Sequence, residues 1–292
     1  MLKLKYSMRH AYLILAHSSK ALLRELIQAL DDVRNDIYVH IDKKAEFDIA
    51  DLTTKFSGLY VLSERMDARW GDYSLVEVEL QLIAEASSRF SYAYYHLLSG
   101  VDFPIASQDT IHDFFNQHFG KEFIGFANHT PSSELKWRSQ HYFLFSRNFK
   151  SENLLIRLVR RMFADIQTVI GYKRYPKEVK KGCQWCSITN DFAEFLLANK
   201  TLIKKYFNHT YCPDELFIQT LCWNSSFRDK VYDVKDEFKG CLRYINWENA
   251  EIHLMDNEDP NKMVSSEFLF ARKFSEKGLP NIKRIKELYS LR

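Results

Sequence analysis

The sequence predicts an α/β fold, a mixed and mostly parallel central sheet flanked by helices. Three observations carry this. Short apolar runs alternate with helix-length amphipathic stretches from residue 11 onward. The first two runs are separated by a helix of about 11 residues, which suits a right-handed crossover between parallel strands. Polar residues then gather at the carboxyl ends of the runs, where open α/β sheets hold their ligands.

The elements follow in order. "AYLILAH" (11–17) is a first buried strand, and "KALLRELIQAL" (20–30) a helix with Leu22, Leu23, Leu26, Ile27 and Leu30 on one face. "DIYVHID" (36–42) is β-branched and apolar, hence a second strand, and "LYVLSE" (59–64) a third. "SLVEVELQLIAEASS" (74–88) has helical spacing, and "YAYYHLLSG" (92–100) is a buried strand ending in glycine. "NLLIRLVRRMFADIQTVI" (153–170) is an amphipathic helix carrying Arg157, Arg160 and Arg161. It either packs on the core or lies against a membrane surface. "CQWCSIT" (183–189) is a strand, 190–207 a helix capped by Asn190, 213–225 a helix, "CLRYINW" (241–247) a strand, and 265–276 a short helix and loop.

Composition bounds the function. The 292 residues are 46% hydrophobic and 27% charged, which fits one globular domain spanning 1–292. A net charge of +3 gives no reason to expect a nucleic-acid partner. Basic stretches at 172–182 and 281–292 are either solvated faces or contacts to phosphate or an anionic membrane. No run is long enough for a membrane helix, and the N-terminal "HAYLILAH" reads as a core strand rather than a signal peptide. A cytoplasmic protein is expected, with the five cysteines as free thiols. The pair Cys183 and Cys186 lacks the further ligands a zinc site needs. No G-x-G-x-x-G and no phosphate-binding loop motif occurs.

"YCPDELFIQT" (211–220) places Asp214 and Glu215 after a proline at the start of an apolar run. This is a well-formed helix start, with proline at the first position and acids at the positive end of the helix dipole. It is also a place for a catalytic carboxylate.

Eight stretches in order resemble one family. They are "YLILAHSS…LLRELIQAL", "DIYVHIDKKA", "RWGDYSLVEVEL", "YYHLLSGVDFPI", "KGCQWCSIT", "YCPDELFIQT", "LRYINW" and "LFARKF". The chain resembles the core-2/I-branching β-1,6-N-acetylglucosaminyltransferase family (glycosyltransferase family 14), which includes peptide-O-xylosyltransferases. The resemblance implies a GT-A fold. Residues from about 10 to 105 would form the nucleotide-sugar-binding half, and about 106 to 292 the acceptor-binding and catalytic half. It implies an inverting transfer from a UDP-sugar, with GlcNAc the leading sugar, and no required metal or other cofactor. The sequence is consistent with this, since it holds no Asp-x-Asp triplet.

Inversion needs a base for the acceptor hydroxyl and a cation for the departing diphosphate. The resemblance assigns the base to Glu215 and the diphosphate contacts to Arg272 and Lys273, with Arg243 as a further one. Asp214 points about 100° away from Glu215 on a helix, so it caps the helix or holds acceptor geometry. The nucleotide falls to Ala16, His17 and Asp42, although His17 is equally well a structural histidine. Asp102 is assigned to the donor or acceptor sugar. Trp70, Gln184 and Trp185 are either sugar-side residues or core. Compact bacterial members, which the chain resembles most, act in capsule, exopolysaccharide or lipopolysaccharide assembly. Their acceptors are glycans or lipid-linked glycans, which would give the amphipathic helix a use as a peripheral membrane contact. The alternative is a non-catalytic nucleotide-sugar or carbohydrate-binding protein on the same fold.

Overall fold

The computed structural model describes residues 8–46, 48–175, 177–248 and 251–290. The basic residues at the very N-terminus and the last two of the basic tail lie outside the described residues.

The chain begins with β1 (His10–Ala16), α1 (Lys20–Leu30), β2 (Asn35–Ile41), β3 (Gly58–Val61), α2 (Ser74–Arg89) and β4 (Tyr94–Ser99). Then come β5 (Phe103–Pro104), α3 (Gln108–Gln117), α4 (Ser132–Gln140), α5 (Leu154–Val169) and β6 (Ser187–Thr189). The rest is α6 (Asn190–Ala198), α7 (Lys200–Phe207), α8 (Phe217–Trp223), α9 (Glu237–Cys241), β7 (Arg243–Ile245), β8 (Trp247–Glu248), β9 (Glu251–Ile252), α10 (Pro260–Val264), β10 (Phe270–Arg272) and α11 (Leu279–Ser290).

The central sheet runs β3-β2-β1-β4-β6. Its first four strands are parallel, and β6 pairs antiparallel with β4 at the edge. This is the mixed, mostly parallel sheet the sequence predicts. β1 lies in the middle, and all seven of its residues are buried. Successive side chains point to opposite faces. Ala11, Leu13 and Leu15 join a core with Val76, Leu80 and Ile83 of α2 and Phe192 of α6. Tyr12, Ile14 and Ala16 join another with Leu23, Leu26 and Ile27 of α1 and Phe115 of α3. Both faces are covered, so the strand reads as a continuous apolar run rather than an alternating one. A smaller sheet, β5-β10-β7, rests on a third core that holds Phe103, Ala271, Phe274, Ile282 and Ile285.

Several elements differ from the sequence expectation. The 190–207 stretch is two helices, α6 and α7, which break at Asn199. The cap of α6 is Thr189, whose side chain accepts from the Phe192 amide, and not Asn190. Residues Pro213–Glu215 form a separate 3₁₀ turn, and α8 begins only at Phe217. The 265–276 stretch holds a strand, β10, in place of a helix. It pairs antiparallel with β5 and parallel with β7, which a local pattern does not reveal.

Candidate active site

The carboxyl ends of β1, β2 and β4 meet at one edge of the sheet. The Asp42 amide donates to the Ala16 carbonyl at 2.8 Å, and the Gly100 amide to the Leu15 carbonyl at 2.8 Å. Gly100 permits this, since a Cβ there would lie 3.1 Å from the Ala16 Cβ. Ala16 is buried and offers only backbone to a ligand. The Asp42 carboxylate is buried and engaged: Oδ1 accepts from the Lys44 amide (2.8 Å), and Oδ2 from Lys44 Nζ (3.1 Å) and the Ala68 amide (3.1 Å). His17 is exposed at the strand end. Its imidazole sits below its ordinary pKa, because of partial burial first, countered by Asp42 and reinforced by Lys273, Lys44 and Arg272. The fold therefore gathers His17, Asp42, Arg272 and Lys273, which are far apart in sequence, and adds Lys44.

Arg272 closes β10 and is held on two sides. Its Nε donates to Asp102 Oδ1 at 3.1 Å, and its guanidinium lies over the Trp185 ring at 4.6 Å. Asp102 is fully buried at its side chain and accepts from the Ser99 amide through Oδ2 at 2.9 Å. It is thus a clamp for Arg272, not a residue facing a sugar. Trp185 is buried with one face under Arg272, so it is not an open stacking platform. Among the described residues neither Arg272 Nη donates a hydrogen bond, and only Nε is engaged with Asp102. Lys273 follows, half-exposed, with its carbonyl accepting from the Met255 amide at 2.9 Å.

Arg243 requires a correction. It is completely buried, donates to the carbonyls of Cys241, Leu97 and Cys186 at 2.6, 3.1 and 2.9 Å, and lies over the Phe270 ring at 4.5 Å. Its guanidinium ties the two sheets together inside the core, where no diphosphate reaches.

Glu215 is partly exposed, and its Oε2 accepts from Arg138 Nη1 at 2.8 Å. Arg138 also pairs with Glu134 at 2.9 Å, and Lys181 Nζ stands 4.0 Å from Glu215. Backbone contacts fix the turn: the Cys212 amide donates to the Gly71 carbonyl and the Gly182 amide to the Glu215 carbonyl, each at 3.0 Å. Glycine is needed at 182, because a Cβ there would come within 1.8 Å of the Gly125 carbonyl oxygen. Trp70 is half-exposed beside this turn, edge-on to Tyr211 with ring centroids 5.8 Å apart, and Trp137 packs on Tyr211 at 5.5 Å.

Asp214 faces the other way, into the protein. Its Oδ1 has no hydrogen-bond partner, and burial, with Glu215 adding to it, pushes its carboxyl up to about 8. Glu79, fully buried on α2, is also raised well above its ordinary range, by burial and then by Asp214. Gln184 Nε2 donates to Glu79 Oε1 at 2.6 Å. Asp214 is therefore turned away from solvent-borne sugar, and Gln184, partly buried, is tied to Glu79.

Residues 182–185 connect the two halves of the site. Gly182 touches the Glu215 backbone and Trp185 lies under Arg272. Three Cα steps span at most ~11 Å. The backbone of the Glu215 turn and the Arg272 guanidinium are thereby tied to opposite ends of one short segment.

Sequence reasoning misses Arg138 and Glu134, and it has Lys44 only among the polar residues at the strand ends and Lys181 only within the basic stretch 172–182. The Glu134–Arg138 spacing within "SSELKWRSQ" is a helical ion-pair signature that points to α4. Among the described residues no group of three or more His, Cys, Asp or Glu side chains is placed to hold a metal ion.

Residues 10–279 match the family model described as Branch: Core-2/I-Branching enzyme. Xylosyltransferase sqv-6 of Caenorhabditis briggsae is 27% identical over 222 residues, covering 72% of this chain and 25% of that protein. A xylosyltransferase of Ciona intestinalis is 23% identical over 295 residues, covering 92% of this chain and 32% of its own length. The chain thus spans about a quarter to a third of these relatives. The apo crystal structure of mouse xyloside xylosyltransferase 1 aligns with a TM-score of 0.39 at 12% identity, covering 89% of this chain and 97% of that one.

Proposed function

The chain belongs to the Core-2/I-branching enzyme family of glycosyltransferases, and from that premise we propose that it moves a sugar from a UDP-sugar to a glycan hydroxyl, with inversion and without a metal. The observation that carries this is that residues 182–185 contact both sides of the site: the Gly182 amide donates to the Glu215 carbonyl, and the Trp185 ring lies under Arg272.

The chemistry is a single displacement. The acceptor oxygen bonds to the anomeric carbon as the bond from that carbon to the diphosphate breaks. Glu215 takes the acceptor proton as the new bond forms. One of its oxygens is held by Arg138, which fixes the carboxylate's orientation and leaves the other for the hydroxyl. Arg272 and Lys273 take up the charge that develops on the diphosphate, the arginine as a fork and the lysine as a point charge. Asp102 and Trp185 hold Arg272 in place before the donor arrives, so little reorganisation is needed. Lys44 and His17 border the nucleotide side, and a neutral His17 suits a hydrogen bond to ribose or base. Half-exposed Trp70, with Lys150 Nζ over one face of its ring at 4.9 Å, would meet the acceptor with its other face.

The donor is UDP-linked: GlcNAc by the family resemblance, and xylose by the names of the relatives. The test is UDP release from UDP-GlcNAc, UDP-xylose, UDP-galactose and UDP-glucose with glycan acceptors in excess EDTA. Turnover that survives the chelator is expected. Activity abolished by EDTA and restored by manganese would overturn the metal-free mechanism.

A further inference from the structure

Helix α5 turns a mixed side inward, with Ile156, Val159, Phe163 and Ala164 beside Arg160 and Gln167, and leaves a second apolar face outward. The inward side is pinned by polar contacts. Gln167 exchanges hydrogen bonds with the Tyr142 backbone at 2.7 and 2.9 Å, and His141 Nε2 pairs with Thr168 Oγ1 at 2.8 Å. Arg160 donates to the Asn148 carbonyl at 2.9 Å and lies over the Phe149 ring at 4.7 Å. On the outward side Leu154, Leu155, Leu158, Met162, Ile166 and Val169 are each between 54% and 85% exposed. At about 100° per residue they fall in one sector of roughly 120°. Asp165 is the one charge inside that sector, and Arg157 and Arg161 border it. Between residues 150 and 173 the chain carries five basic and two acidic side chains.

A contiguous apolar face of this size on a water-facing helix marks an interaction surface. Its border selects the partner. A helix with leucine, isoleucine and methionine on one side and arginine at the edge matches an anionic bilayer, the apolar side entering the acyl boundary and the arginines meeting headgroup phosphate. A second copy of the chain would bring the same basic border against itself. We propose that α5 docks this protein on the surface of an anionic membrane.

The docked face lies on the side of the site assigned to the acceptor. α5 packs on residues 141–149, whose Phe143 and Phe149 pack on Tyr211 with centroids 6.3 and 4.8 Å apart. Tyr211 leads directly into the turn that carries Glu215. An acceptor glycan anchored in lipid would then meet Glu215 from the membrane side, an extension that rests on the glycosyltransferase reading, whereas the docking itself does not.

The experiment is vesicle co-sedimentation of the full chain, with phosphatidylcholine vesicles made with or without phosphatidylglycerol, beside light scattering in solution. Several-fold more protein is expected to pellet with the anionic vesicles. The double variant Leu158→Glu and Ile166→Glu should fall to the level without vesicles while keeping its melting temperature. Arg157→Glu with Arg161→Glu should remove the preference for phosphatidylglycerol. Wild-type protein that stays in the supernatant with both vesicles overturns the proposal. So does a dimer in solution that the Leu158→Glu and Ile166→Glu variant dissociates, since that gives the face to a second copy. Because pelleting needs no turnover, a protein that binds vesicles but transfers no sugar would refute the enzyme reading alone.

Discussion

Asp214→Asn tests whether the turn beneath Glu215 rests on a neutral carboxyl. Asp214 is buried, one of its oxygens has no partner, and its carboxyl is pushed from 3.8 up to about 8, first by burial and then by Glu215. The folded state therefore keeps a proton that the unfolded state loses near pH 4. Between those values the unfolded state binds fewer protons, so stability falls as pH rises, by at most ~1.4 kcal/mol per pH unit for one group. Below about pH 6.5 the buried His40 and His112, both lowered to about 4 by burial, act in the opposite sense, because the unfolded state then binds their protons. The clean window is thus from about pH 6.5 to 8, where Asp214 should cost the wild type roughly 1 kcal/mol or somewhat more. For a chain of this size that is roughly 2–4 °C in melting temperature. Glu79 and Glu122, the latter raised to about 7 by burial, add slopes of their own to both proteins. The quantity to read is therefore the difference. In thermal melts across this window the stability of Asp214→Asn relative to wild type should rise steadily from about pH 6.5 to 8. Parallel curves would mean that Asp214 is already ionised in the fold, and the reasoning would fail.

Two other changes probe the frame of the site. Asp102→Asn should weaken UDP binding as well as stability, because it leaves the Arg272 guanidinium without its buried partner; loss of one partner of a buried pair costs about 3–5 kcal/mol. Isothermal titration with UDP beside a thermal melt reads both, and unchanged UDP affinity would separate Asp102 from Arg272. Gly182→Ala should be among the most damaging single changes, at roughly 4 kcal/mol or more, since its Cβ meets a backbone carbonyl that cannot rotate away. A near-normal denaturant midpoint would show that the 125 and 182 backbones separate easily.

How far the sequence could be read depended on the range of the interactions. β1 and α1 were legible because burial on both faces and a helical stripe are local patterns. β10 was not, because a short apolar run fits strand or helix, and its partners β5 and β7 lie far off in the chain. The amphipathicity of α5 was plain, yet only the fold tells which side is turned inward. Arg243 is a phosphate ligand only by the family resemblance; its real partners include the Leu97 carbonyl, 146 residues away. Glu215 was picked out by its motif, but its cation, Arg138, comes from a helix 77 residues earlier that no pattern had flagged. The sequence reading assigns Asp102 and Trp185 to the sugar or, for Trp185, the core; the fold sets both against Arg272, which a sequence does not reveal.

The central claim is that Glu215 takes the acceptor proton while Arg272 and Lys273 hold the leaving group. Steady-state sugar transfer by Glu215→Gln, beside its UDP affinity, tests it most directly. The account predicts a fall in kcat of about 10²–10⁴-fold with UDP binding nearly unchanged. Near-normal transfer by Glu215→Gln, or a loss of UDP binding equal to the loss of rate, would contradict it.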